Sequence, residues 1–210
     1  MQNKIKAIIF DMDGVLIEAK DWHYEALNKA LRLFGMEISR YDHLVTYDGL
    51  PTRRKLEMLS MERGLPASLH QFINDMKQVY TTEITFSRCK PVFVHQYALS
   101  KLCNEGYRLA VASNSIRATI EMMMEKSALM PYLEFFLSNQ DVTHSKPDPE
   151  IYVKTMERLG LPPQECLILE DNKNGLRAAI DSGAHVLHIN GIHDVNYENI
   201  KGRICRIEEQ

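Results

Sequence analysis

The sequence predicts an α/β protein: a doubly wound, Rossmann-like parallel sheet with an all-helical block inserted into it. Three observations carry that expectation. Short apolar runs of strand length recur at 8–10, 108–112, 135–137, 166–170 and 185–189, and their near-continuous apolarity suits strands buried on both faces. Stretches of helical period separate the later runs. Between the first run and the second, residues 18–87 carry helical patterns without one convincing strand, so this segment reads as an insert. The expected division is a core of residues 1–17 and 88–210 with a helical block of 18–87.

Ile8, Ile9 and Phe10 make the first strand, which stops abruptly at Asp11, Met12, Asp13 and Gly14. From Asp21 the period changes, because Leu27, Ala30, Leu31 and Phe34 recur at helical spacing and Gly35 supplies a stop. Two more helices are expected in the insert, at about 52–63 closing on Gly64 and at about 68–84. The sheet alternation then resumes with a helix ending near Glu105-Gly106 and the strand Arg108–Ala112. A helix over about 116–127, a short strand Phe135–Leu137 and a helix over 149–159 ended by Gly160 follow. Cys166–Glu170 is the next strand, a helix ends at Gly183, and 185–189 is the last strand; residues 190–210 carry no single period and receive no assignment.

Composition narrows the function. A net charge of −3 with no polybasic run argues against nucleic acid or an anionic membrane as partner and leaves a small polar or anionic molecule. The four cysteines, Cys89, Cys103, Cys166 and Cys205, show no Cys-x-x-Cys spacing and read as reduced thiols. No apolar stretch approaches the length of a signal core or a membrane span, so the expectation is a soluble cytoplasmic protein, a monomer or weak dimer.

Polar residues gather where strands end. Asp11 and Asp13, two apart, lie on one side of an extended chain at the carboxyl end of the first strand, where open α/β sheets bind their ligands. Ser113 and Asn114 follow the second strand and can donate hydrogen bonds to a phosphoryl or carboxylate oxygen, although Asn114 and Ser115 equally suit a helix start. Lys146 stands in a proline-stiffened loop, Ser145-Lys146-Pro147-Asp148-Pro149, where a rigidly placed ammonium suits an anion. Glu170 and Asp171 are adjacent acids after an apolar strand, and a hard divalent ion would relieve their repulsion.

In that order, DMDGV, ASN, SKPDP and LILEDNKNG resemble the four motifs of the haloacid dehalogenase-like superfamily, in its branch of phosphatases and β-phosphoglucomutase-like enzymes with a helical cap. The resemblance covers nearly the whole chain and implies a mobile cap inserted after the first strand. It also implies a magnesium-dependent phosphatase of a small phosphorylated metabolite, a sugar phosphate by preference, working through an aspartyl-phosphate. Asp11 would be the nucleophile and Asp13 the acid and base; Ser113, Asn114 and Lys146 would bind the phosphate; Asp11, Asp13, Asp171 and Glu170 would hold Mg2+. Substrate choice would fall to the cap, with His23, Arg53, Arg54 and Lys77 as its candidates. A sugar phosphomutase and a catalytically silent binding or regulatory member are the alternatives. The chain departs from the family pattern at Glu18-Ala19, where relatives carry an acid and a hydroxyl, and at Pro91-Val92, where they carry Pro-Gly.

Overall fold

The computed structural model describes residues 5–209. Among them the chain divides into two compact units, one of Ala19–Cys89 and one formed by the segments on either side of it.

The discontinuous unit is built on five parallel strands: β1 (Ala7–Phe10), β2 (Arg108–Ala112), β3 (Phe135–Leu137), β4 (Cys166–Glu170) and β5 (His185–His188). They lie in the order β3-β2-β1-β4-β5, so the winding reverses at β1 and opens a crevice at its carboxyl end. Phe10 pairs in register with Val111 on one side and Leu169 on the other. The residues just beyond these pairs therefore emerge at one level, Asp11 beside Glu170 and Ala112.

Helices α5 (Phe93–Asn104), α6 (Arg117–Lys126), α7 (Glu150–Leu159), α8 (Lys173–Asp181) and α9 (Tyr197–Glu208) complete this unit. Ala7 and Ile9 of β1 share a buried cluster with Ile151, Tyr152, Met156 and Leu159 of α7 and Ala178 and Ala179 of α8. Ile8 and Phe10 point the other way, as alternation in a strand requires. The unassigned tail contains α9, whose buried Ile200, Ile204 and Ile207 form a helical stripe. Its start is capped by Asn196, which accepts the Asn199 N–H. The stripe is thin, and charged residues surround it, which hides its period in the sequence.

The other unit consists of α1 (Lys20–Arg32), the short α2 (Arg40–Asp42) continuing into a wide turn over His43–Tyr47, α3 (Thr52–Arg63) and α4 (His70–Arg88). Leu27, Ala30 and Leu31 of α1 meet Ile38, Tyr47, Leu56, Leu59, Leu65 and Ile73 in one core. One buried polar residue fixes the return of the chain after α1. Asn28 donates to the Ile38 carbonyl at 2.9 Å and accepts the Ile38 N–H at 2.8 Å, completing both backbone groups of that residue. Asn28→Ala leaves both unpaired in a dry interior, and urea denaturation should show a loss of about 2 kcal/mol with an unchanged slope.

Candidate active site

The first acidic loop is shaped by its backbone. The Met12 carbonyl accepts the N–H groups of Leu16 and Ile17 at 3.0 and 2.9 Å, folding the chain sharply back after the strand. Gly14 takes φ +93° inside that turn, a conformation that a side chain would strain. Asp11 is tied to the neighbouring strand by its own N–H, which donates to the Leu169 carbonyl at 3.0 Å.

Lys146 reaches this end of the sheet from the β3–α7 loop, and Asn114 holds its backbone. The Asn114 amide oxygen accepts the Lys146 N–H at 3.1 Å and its amide nitrogen donates to the Lys146 carbonyl at 3.4 Å. The peptide that follows, Lys146-Pro147, is cis. The ammonium is buried and lies 2.6 Å from Asp11 Oδ1, 2.9 Å from Glu170 Oε2, 2.9 Å from the Ala112 carbonyl and 2.7 Å from the Tyr152 hydroxyl. The Tyr152 hydroxyl in turn donates to Glu170 Oε2 at 2.6 Å. The other Glu170 oxygen accepts the Asp171 and Asn172 N–H groups at 3.1 and 3.4 Å.

Burial first, and then the charge of Glu170, pushes the Asp11 carboxyl well above its ordinary range; Lys146 counteracts this, while Asp13 and Asp171 add to it. Burial alone would lower Lys146, but Asp11 and Glu170 outweigh it and the ammonium ends above its ordinary range. Three carboxylates thus act on Asp11, with one ammonium opposing them. Oxygens of Asp11, Glu170 and Asp171 lie within 4.8 Å of one another, an all-oxygen set that matches a hard divalent cation in both charge and chemistry. Of the three, Glu170 has both oxygens already accepting protein donors, so it suits an outer position, through water, better than direct coordination. His144, Asp148 and Glu150 form a second such grouping, but Glu150 there accepts the Thr143 and His144 N–H groups and pairs with Lys154, which makes it an ordinary loop and helix-start anchor.

Ser115 lies beside Asp13. Its hydroxyl donates to Asp13 Oδ2 at 2.9 Å, and its N–H donates to the buried Ser113 hydroxyl at 3.0 Å. The helix-start reading of Asn114 and Ser115 is corrected by this arrangement, since α6 begins at Arg117 with Ile116 as its cap residue. Sequence reasoning missed Ser115 as a partner of Asp13, and it missed Tyr152 altogether. Tyr152 belongs to the inward stripe of α7, and its one distinguishing signal is a hydroxyl that a buried tyrosine must satisfy.

The four remaining candidates lie in the helical unit. His23 Nδ1 and Lys77 Nζ are 3.3 Å apart, with Lys77 buried. Arg53 and Arg54 are exposed on the first turn of α3 and both pair with Glu57, at 3.1 and 3.2 Å.

Gly175, on the first turn of α8, makes room for the cluster. A Cβ there would stand 1.9 Å from Glu170 Oε2, so Gly175→Ala must displace that carboxylate and should cost about 1–3 kcal/mol. Gly191→Ala, which meets open space, should stay within about 0.5 kcal/mol of the parent. Thermal denaturation of the two variants side by side checks the contrast.

Residues 8–189 match the family model described as haloacid dehalogenase-like hydrolase. A phosphorylated carbohydrates phosphatase of Thermotoga maritima is 27% identical over 195 residues, covering 91% of this chain and 88% of its own length. Protein CbbY of Cereibacter sphaeroides is 30% identical over 190 residues, with 85% and 81% covered. Among solved structures, β-phosphoglucomutase from Clostridium difficile superposes with a TM-score of 0.84 at 18% identity over 98% of this chain and 100% of that one. CbbY from Rhodobacter sphaeroides with phosphate gives 0.81 at 22% identity, with 90% and 88% covered. At those identities the superpositions speak for the fold, whereas the family match, spread over nearly the whole chain, decides membership: this protein belongs to the haloacid dehalogenase-like hydrolase family and stands among its phosphatases.

Proposed function

We propose that the protein is a magnesium-dependent phosphatase of a small phosphorylated metabolite, a sugar phosphate by preference, that works through an aspartyl-phosphate on Asp11. The observation that carries this reading is the arrangement at the end of β1. Asp11 is held by a buried ammonium, and Asp13, two residues on, is oriented by a separate donor, Ser115. Two carboxylates of one loop thus sit in different environments, which is what dividing nucleophile from acid and base requires.

In the first step an Asp11 oxygen forms a bond to phosphorus, the bond to the leaving oxygen breaks, and Asp13 supplies the proton that oxygen needs. In the second, Asp13 takes a proton from water as its oxygen attacks phosphorus, the Asp11–phosphorus bond breaks, and inorganic phosphate leaves with both acids restored. Lys146 neutralises charge beside Asp11, and the Ser113 hydroxyl stands ready one residue beyond β2 to donate to a phosphoryl oxygen. Asn114 serves the phosphate at one remove, by holding the Lys146 backbone. Mg2+, held by the Asp11 and Asp171 carboxylates and the Asp13 backbone carbonyl with Glu170 outside them, would supply further positive charge against the transferring group.

The sugar-phosphate preference is supported by the Thermotoga maritima relative, whose name specifies phosphorylated carbohydrates. His23, Lys77, Arg53 and Arg54 remain the candidates for binding the rest of the substrate. No helix among the described residues is long and apolar enough to cross a membrane.

Asp11→Asn should retain the fold by circular dichroism and lose at least about a thousandfold in turnover, because an amide cannot attack phosphorus. Substantial activity in that variant removes Asp11 from its role. A panel of sugar 1-phosphates and 6-phosphates, followed by phosphorus NMR with and without magnesium, tests the reaction itself. Magnesium-dependent release of inorganic phosphate, with no need for a bisphosphate activator, is expected. Isomerisation that greatly outpaces release and depends on added bisphosphate would establish a mutase instead.

A further inference from the structure

Lys146 faces more acceptors than it has protons. Four oxygens lie within 2.9 Å of its nitrogen, and an ammonium carries three N–H bonds. Two of the four acceptors are carboxylates, one is a backbone carbonyl and one is the Tyr152 hydroxyl. That hydroxyl spends its single proton on Glu170 Oε2, so towards Lys146 it acts as a neutral acceptor. Burial and the neighbouring charge of Glu170 push its pKa well above the ordinary range, which keeps it a phenol.

We infer that Tyr152 is a positioning residue for Lys146: its hydroxyl divides one ammonium proton with the Ala112 carbonyl, and that divided bond is the one the ammonium gives up to reach a phosphoryl oxygen while keeping its bonds to Asp11 and Glu170. A carboxylate attracts the ammonium with a full opposite charge and the phenol and the carbonyl do not, so giving up a neutral acceptor costs less than giving up a carboxylate. The phenol also occupies a lone pair of Glu170 Oε2, which limits the pull of that carboxylate on the ammonium. Removing the hydroxyl leaves Asp11, Glu170 and Ala112 as three acceptors for three protons. Capture of a phosphoryl group must then break an undivided bond, to Ala112 or to a carboxylate, where the parent breaks a divided one.

This inference rests on the phosphatase reading for its ligand, and the test separates the two. Tyr152→Phe and Tyr107→Phe are compared with the parent at saturating magnesium. Tyr107 is also buried, and its hydroxyl accepts from Lys201, but it lies outside the site. Two quantities are read: kcat/KM on a small aryl phosphate, and the affinity for orthovanadate by calorimetry. Tyr152→Phe should lose about tenfold in both, the equivalent of one hydrogen bond, while Tyr107→Phe stays within about twofold of the parent. A purely structural tyrosine would lower the melting temperature and leave both quantities unchanged per folded molecule. Vanadate affinity and kcat/KM of Tyr152→Phe within twofold of the parent overturn the inference, and so does a parent that binds no vanadate. A parent that binds vanadate but does not hydrolyse the ester defeats the phosphatase reading alone, and the vanadate comparison still decides the role of Tyr152.

Discussion

A buried ammonium between two buried carboxylates is the constraint on which the rest of this site depends. Taking Lys146, Asp11 and Glu170 out of water is costly, and attraction repays it only with close geometry and every remaining hydrogen-bonding group satisfied. The structure meets that condition through neutral groups. The Ala112 carbonyl and the Tyr152 hydroxyl complete the lysine, and the Asp171 and Asn172 N–H groups complete Glu170. Gly175 yields the space that Glu170 occupies. The surrounding residues are therefore arranged around one charge cluster, and removing the ammonium would leave two buried carboxylates facing each other without it.

That cluster exists because of how the sheet is wound. Parallel register brings the ends of β1, β2 and β4 to the same level, and the reversal of winding at β1 keeps the space beyond them open. Nothing else in the chain would bring Asp11, Ala112 and Glu170 together, since more than a hundred residues separate the first from the last in sequence. The hydrophobic packing of α7 against the sheet then places Lys146 and Tyr152, which lie on the two sides of the helix start. Core packing and site geometry are one arrangement here, and Tyr152 belongs to both.

The helical unit is organised differently. Its core is held by aliphatic side chains of α1, α3 and α4, with Asn28 completing the backbone of Ile38 in their midst. Polar residues outside that core are engaged with one another: His23 with Lys77, and Arg53 and Arg54 with Glu57. The two arginine pairs lie on the surface and contribute little to stability, so Arg53 and Arg54 are available to exchange partners at low cost, whereas Lys77 is buried.

Much of this was determined by the sequence itself. Apolar runs bounded by Gly and by acids identify a strand without reference to its neighbours, and β1 to β5 all lie where those runs stand. The motif residues Asp11, Asp13, Ser113, Lys146, Glu170 and Asp171 were legible for a related reason: each follows a strand or stands in a proline-marked loop, and local pattern is enough to place it there. Only tertiary structure could decide who touches whom. It turned Asn114 towards the Lys146 backbone and gave Ser115 to Asp13 rather than to a helix start. It also assembled α9 from a tail whose sparse stripe has meaning only against a core. Tyr152 shows the limit most plainly. Along the chain it is one more buried residue of an amphipathic helix, and its chemistry arises from a lysine six residues back and an acid eighteen residues on, which meet only after the sheet has formed.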